Sequence, residues 1–204
     1  MVDNINRHSV RLLQPYTRGP NAQAIIASAR ILARLALETE EMRMQHRKKM
    51  LNDAIWYHTE ADGKWKTRYK SKVVWDLAHN EPQSLVLINH EHVITRSNLV
   101  EDMLGNRLHL LEHLDELHEL LNTAVACIVT ADQHAELLAG IGWKRYANIE
   151  VFDTGVTPPK IVQLHIDGIV PDPNLTDPRC EAMAVIHAMD RVISFRSVEP
   201  SATR

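Results

Sequence analysis

The stretch Ser84–Ser97, SLVLINHEHVITRS, decides the fold: an apolar run ends in His90, Glu91 and His92 and gives way to a helix-start signal. A strand that delivers three proton-transferring or metal-capable side chains to its end reads as the edge of a site. A second signal of the same kind follows in Val125–Leu138, VACIVTADQHAELL, where a β-branched run, a Thr130 cap and a helix carrying His134 succeed one another. Between the two, Leu99, Met103, Leu108, Leu111, Leu114, Leu117 and Leu121 recur at helical spacing. That helix is expected to start at a cap on Ser97 or Asn98, to be broken at Gly105 and to end near Asn122, with Glu112, Asp115, Glu116 and Glu119 outside. Such a stripe is a core face or the seam of a homodimer formed through Leu99–Leu121.

N-terminal to this unit, residues 1–20 form a loose segment marked by Pro15, Gly19 and Pro20, and Asn21 to about Leu51 reads as one long helix. Ile25, Ala29, Leu32, Leu35 and Ala36 make its expected apolar stripe, and Arg43, His46, Arg47, Lys48 and Lys49 suit a helix C-terminus. AIWYHTE, ADGK and WKTRYKSKVVW then read as a hairpin turning at Asp62-Gly63. In its returning strand Lys64, Lys66, Arg68, Lys70 and Lys72 occupy every second position, so all five cations are expected on one face. Cations about 6.6 Å apart, at roughly 3.3 Å per residue, could follow a phosphate backbone. The same row would also guard an exposed edge strand against aggregation.

C-terminal to the unit, GWKRYANIEVFD predicts a tight connection into another strand. PPKIVQLHIDGIV is expected to be extended, DPNLTDP a loop, and Glu181–Ser194 a final helix or a buried strand. Trp143, Lys144, Arg145 and Tyr146 read as a packing corner or as a stacking and charge contact to nucleic acid. No internal repeat or long linker divides the chain. The expectation is one α+β domain over 1–204: a mixed sheet with a long N-terminal helix, a basic β-hairpin, and the leucine-rich helix inserted in a ββα-like unit at 84–140.

Composition narrows the chemistry. A chain of 204 residues with 45% hydrophobic content can bury its own core, and no apolar run approaches the roughly 20 residues a membrane span needs. The first residues lack the apolar core of a signal peptide, so a cytoplasmic protein with no membrane partner is expected. Cys127 and Cys180 form no CxxC pair and read as small buried thiols. A net charge of −3 argues against a surface coated with cations, though not against a local basic patch. Seven glycines include no phosphate-binding loop, and no nucleophile elbow is present. Of 12 histidines, His109, His113 and His118 fall in an acidic helix and read as surface residues.

The order of a strand ending in Glu91-His92, a helical insertion, a second strand and a short helix with His134 resembles the ββα-metal, or HNH-like, nuclease finger. The likeness covers Leu85 to Leu138, and EHVITRS is similar to that family's first motif, with Thr95 or Arg96 where the family carries a proline. The resemblance implies His92 as the base that activates water, with Glu91 or His90 and His134 holding a divalent ion, Mg or Mn, or Zn or Ni for a histidine-rich set. Asp132, in the first turn of the same helix, is a further candidate ligand or a dipole-favoured acid. Because His90 and His92 share one face of a regular strand and Glu91 the other, a three-histidine site of His90, His92 and His134 is the alternative ligand set. The expected function is metal-dependent cleavage of nucleic acid, DNA rather than RNA, in a bacterial or phage defence setting. The rival is a non-catalytic phage- or plasmid-type regulator or inhibitor that binds a protein or nucleic acid.

Overall fold

An alanine-rich surface begins the architecture. Helix α1 (Ala22–Glu38) buries Ala22, Ile26, Ala29, Ala33, Ala36 and Leu37, and these small side chains let α2 (Met44–Thr59) pack against it through Leu51, Ala54 and Ile55. The computed structural model describes residues 16, 18–81, 88–138, 142–155 and 159–162. Within them the class is α+β, with helices packed around a mixed sheet.

The expected single N-terminal helix is two. The chain leaves α1 at Thr39, whose backbone is extended, and Arg47 of α2 folds back to donate from Nη2 to the Thr39 carbonyl at 2.6 Å. Arg107 donates to the neighbouring Leu37 carbonyl. A helix end that lacks intrahelical partners for its last carbonyls is thus satisfied by two guanidinium groups. The buried stripe is also rotated from the expected one: Leu35 is 48% exposed, while Ile26 and Ala33 face inward.

The basic hairpin is not formed. AIWYHTE completes α2, and Gly63, at φ 107°, makes the expected turn but leads into a loop. Only β1 (Tyr69–Ser71) is a strand, and all three of its residues are buried. Ser71 then accepts from the Val74 amide at 3.2 Å and caps α3 (Lys72–Asn80), so VVW is helical.

Strand β2 (Ile88–His92) follows residues 82–87, which lie outside the described set, as does the expected start of this strand at 84. The leucine-rich segment is three helices, α4 (Arg96–Gly105), α5 (Arg107–Glu112) and α6 (Leu114–Asn122), the first capped by Thr95 rather than Ser97 or Asn98. Breaks fall at Asn106 and His113. Leu99, Met103, Leu117 and Leu121 are wholly buried in one cluster with Leu37, Leu51 and Ile55, at about 1.5–3 kcal/mol of transfer each. Of the remaining stripe, Leu111 and Leu114 pack partly against this cluster and Leu108 is 67% exposed, so most but not all of it faces the core.

Strand β3 (Ala126–Thr130) leads directly into α7 (Ala131–Glu136). A 3-10 helix at Gly142–Tyr146 precedes β4 (Val151–Asp153) and β5 (Lys160–Val162), the latter drawn from the expected extended segment. The five strands lie in the order β2-β3-β1-β4-β5, with β1 parallel to β3 and every other pair antiparallel. Residues 1–15, Gly140, Cys180 and the Glu181–Ser194 element lie outside the described residues. No helix among the described residues is long and apolar enough to cross a membrane.

Candidate functional site

Sheet register sorts the candidate residues into two rows. His90 stands opposite Ile128, which pairs with Lys70, and Lys70 pairs with Phe152. Glu91 stands opposite Cys127, then Tyr69, then Asp153. Side chains of paired residues share a face and successive residues alternate, so His90 and His92 face one side and Glu91 the other.

On the Glu91 side, the Glu91 carboxylate is fully engaged. Arg145 Nη2 donates to Oε1 at 2.9 Å, His134 Nδ1 lies 3.1 Å from Oε2, and Arg145 Nη1 also donates to the His92 carbonyl at 3.0 Å. His134 is positioned by a capping box, in which Thr130 Oγ1 accepts from the Gln133 amide and the Gln133 side chain accepts from the Thr130 amide, both at 3.2 Å. Asp132 is exposed in the first turn of this helix. Beneath, Trp143 and Tyr146 are buried with Tyr69, Cys127, Val129 and Val151, so the two aromatics of the quartet form a packing corner. Burial pushes the Cys127 thiol up, which keeps it unreactive.

On the opposite side, Trp56 of α2 covers the histidines, with ring centroids 5.7 Å from His90 and 6.0 Å from His92. The Arg96 guanidinium sits over the Trp56 ring at 4.8 Å and the Lys64 ammonium at 5.4 Å, with Lys64 also 5.0 Å from the Trp65 ring. Both ring nitrogens of His90, and Nε2 of His92, are buried without a hydrogen-bond partner, as is Glu60 Oε1. Burial and then the Lys64 charge lower the His90 pKa to about 4, against a weak contact with its own backbone that raises it, with Arg96 a smaller pull downwards; burial, then His90 and Arg96, lowers that of His92 to about 3. Burial raises the Glu60 carboxyl against the pull of Lys64 and Arg96.

The expected metal centre is not assembled. His134 meets Glu91, which points away from His92, so neither the implied nuclease set nor the three-histidine alternative converges. Glu91 is already paired with a guanidinium, which is a poor starting point for a cation ligand. His92, neutral at pH 7, is a weak base because its conjugate acid has a pKa of about 3. Among the described residues, the donors that do come within 4.8 Å of one another are His109, His113 and Glu116, with His109 Nε2 3.0 Å from Glu116 Oε2. Their four- and three-residue spacing is present in the sequence, and in the fold His109 lies in α5, His113 at the break and Glu116 in α6.

The five cations of the basic row part company. Arg68 clamps Asp153 through Nε and Nη2 at 2.7 and 2.8 Å, Lys70 is fully buried with Nζ donating to the Thr67 carbonyl at 2.7 Å, and Lys72 pairs with Asp76 at 2.7 Å. Burial lowers the Lys70 pKa to about 8. Lys64 is exposed, and Lys66 lines a separate cleft. A strand face of five phosphate ligands is thereby excluded, because β1 is a central strand whose polar side chains must find internal partners.

Compared with protein-family models, curated proteins and solved structures, the chain matches none.

Proposed function

We propose that the protein binds nucleic acid as a non-catalytic regulator or inhibitor, in a cytoplasmic setting, through the surface that Lys64, Arg96 and Trp56 make over His90 and His92. The observation that carries this is the placement of two cations from distant segments on one indole, beside buried imidazoles whose nitrogens have no partner. A cation held on a ring face keeps its N–H groups for phosphate oxygens, so the indole orients it at little entropic cost. Neutral imidazoles beneath the indole add no charge repulsion to the two cations above it.

Fluorescence anisotropy with short single-stranded DNA, RNA and duplex DNA tests the reading. Lys64→Glu and Arg96→Glu are expected to weaken binding about tenfold each and to lower the salt slope by about 1 per cation. Unchanged affinity in both variants, or no binding by the wild-type protein, overturns it.

Metal-dependent hydrolysis of DNA retains one favourable observation: the antiparallel β2–β3 pair followed by α7 brings Glu91 and His134 to 3.1 Å. Incubation with plasmid and RNA in Mg, Mn or EDTA discriminates. Cleavage that needs Mg or Mn and is abolished by Glu91→Gln or His92→Ala in a folded protein supports hydrolysis over binding alone.

A further inference from the structure

A cleft of about 640 Å³ opens between α1, the end of α2, the 62–69 loop and the segment that joins α6 to β3. Its volume suits a small-molecule ligand. Its charged lining consists of Arg18, Arg30, Lys66 and Arg68 against Asp62 and Glu119.

Several of these groups are already spent within the protein. Arg68 holds Asp153, and Asp62 accepts from the Tyr16 hydroxyl at 2.9 Å and the Gly19 amide at 2.6 Å, with Arg18 at 3.9 Å. Others are not. Arg30 Nε is buried without a hydrogen-bond partner, and among the described residues neither Arg30 nor Lys66 has a carboxylate within 4.0 Å. A buried guanidinium N–H left unpaired costs free energy that an anionic oxygen would recover.

A third uncommitted group defines the ligand further. His58 Nε2 lies 3.1 Å from the Asn122 side-chain oxygen, an acceptor, so Nε2 carries the proton and Nδ1 is left as a lone pair. That Nδ1 is buried and unpartnered. Burial, with the nearby Arg30 and Arg18 charges, keeps the ring neutral by lowering its pKa to about 4, against the Asn122 hydrogen bond and the Asp62 charge that raise it. The cleft therefore offers two cations and one buried acceptor.

We propose that this cleft binds a small phosphate ester that also carries hydroxyl groups, a sugar phosphate in its simplest form, with Arg30 and Lys66 on the phosphate and His58 Nδ1 accepting from a hydroxyl. Two cations match a phosphate dianion better than a single carboxylate, and guanidinium N–H groups suit phosphate oxygens. The acceptor distinguishes a hydroxylated ester from inorganic phosphate. None of Trp56, Lys64, Arg96, His90 and His92 lines this cleft, so its ligand can be tested apart from nucleic acid.

Calorimetric titration of the full chain with ribose 5-phosphate, inorganic phosphate and ribose provides the measurement. Ribose 5-phosphate is expected to bind more tightly than either fragment and to raise the melting temperature of the wild-type protein. Arg30→Gln and Lys66→Gln should each weaken it about tenfold, and His58→Phe should abolish the preference over inorganic phosphate. Circular dichroism confirms that each variant is folded, and Lys66→Gln, on the open side, serves if Arg30→Gln does not fold. No binding of ribose 5-phosphate by the wild type at millimolar concentration, or equal binding by the variants, overturns the proposal. So does an equal loss of nucleic-acid affinity in Arg30→Gln, which would make the cleft part of the nucleic-acid surface.

Discussion

On one face of β2, Glu91 has both carboxylate oxygens engaged, by Arg145 and His134, whereas on the other face His90 and His92 hold ring nitrogens that nothing meets. One residue step along a strand separates a saturated polar group from unsatisfied ones. The Glu91 carboxylate ties the 3-10 helix and α7 to the sheet, while Trp143 Nε1 and the Tyr146 hydroxyl on the same side are buried without a partner. The histidine face lies under Trp56, with Lys64 and Arg96 on that indole. Polar atoms buried without partners are costly, and each one needs a physical explanation.

The largest effect that sharpens this contrast is Arg145→Ala. With the arginine side chain 12% and Glu91 16% exposed, its loss leaves a mostly buried carboxylate with only a histidine partner and should cost about 2–4 kcal/mol in urea unfolding. Nucleic-acid affinity should stay as it was. A loss below about 1 kcal/mol would break the assignment of this face to structure.

Next comes the division of the basic row. Lys64→Glu should weaken nucleic-acid binding about tenfold with little change in stability. Arg68→Gln should do the reverse, destabilising by about 2–3 kcal/mol through the lost Asp153 pair while anisotropy reports unchanged affinity. Equal affinity losses would restore the row as a single contact surface.

The acid limb of stability reports on the histidine face. His90 and His92 titrate near 4 and 3 in the folded chain, below the ordinary 6.5, so the folded state binds fewer protons than the unfolded one. Their stabilising contribution is complete above pH 6.5 and is lost as pH falls towards 3, each contributing up to about 1.4 kcal/mol per pH unit. His58, near 4, acts with the same sign. Urea unfolding across pH 7 to 4 should show this slope, and His92→Gln should flatten it. An unchanged slope would mean the ring is not held neutral by burial.

The smallest effect is His134→Gln. At 48% exposure its contact with Glu91 is screened by solvent, and the change should cost less than about 1 kcal/mol. A larger loss would give α7 a part in holding the Glu91 face that the contact geometry does not.

The Thr130 cap was readable because a hydroxyl, a following Gln133 and a β-branched run lie within four positions of one another, and the capping box is closed by those same residues. A strand over Val125–Val129 was readable from its β-branched run, one residue from the observed Ala126–Thr130, and the shared face of His90 and His92 from strand alternation. The basic row was misread by the same rule. Its alternation is present, but Ser71 caps a helix that begins at the fifth cation, Lys72, and AIWYHTE has no partner strand because α2 carries it into the core. The helix break after Glu38 left no Gly or Pro; it is stabilised by Arg47 and Arg107 reaching carbonyls of another segment. The Glu91–Arg145 pair closes across 54 positions and the Arg68–Asp153 pair across 85.

Local chemistry, the caps, the alternation, the leucine spacing and the α+β class were determined by the order of residues alone, because each depends on neighbours within one or two turns. Which cation meets which carboxylate, and which histidine nitrogens meet nothing, was decided only when sheet register and helix packing brought distant segments to a common face. Electrostatic pairing depends on distance in space, and strand alternation turned a single step in sequence, from Glu91 to His92, into opposite sides of the sheet.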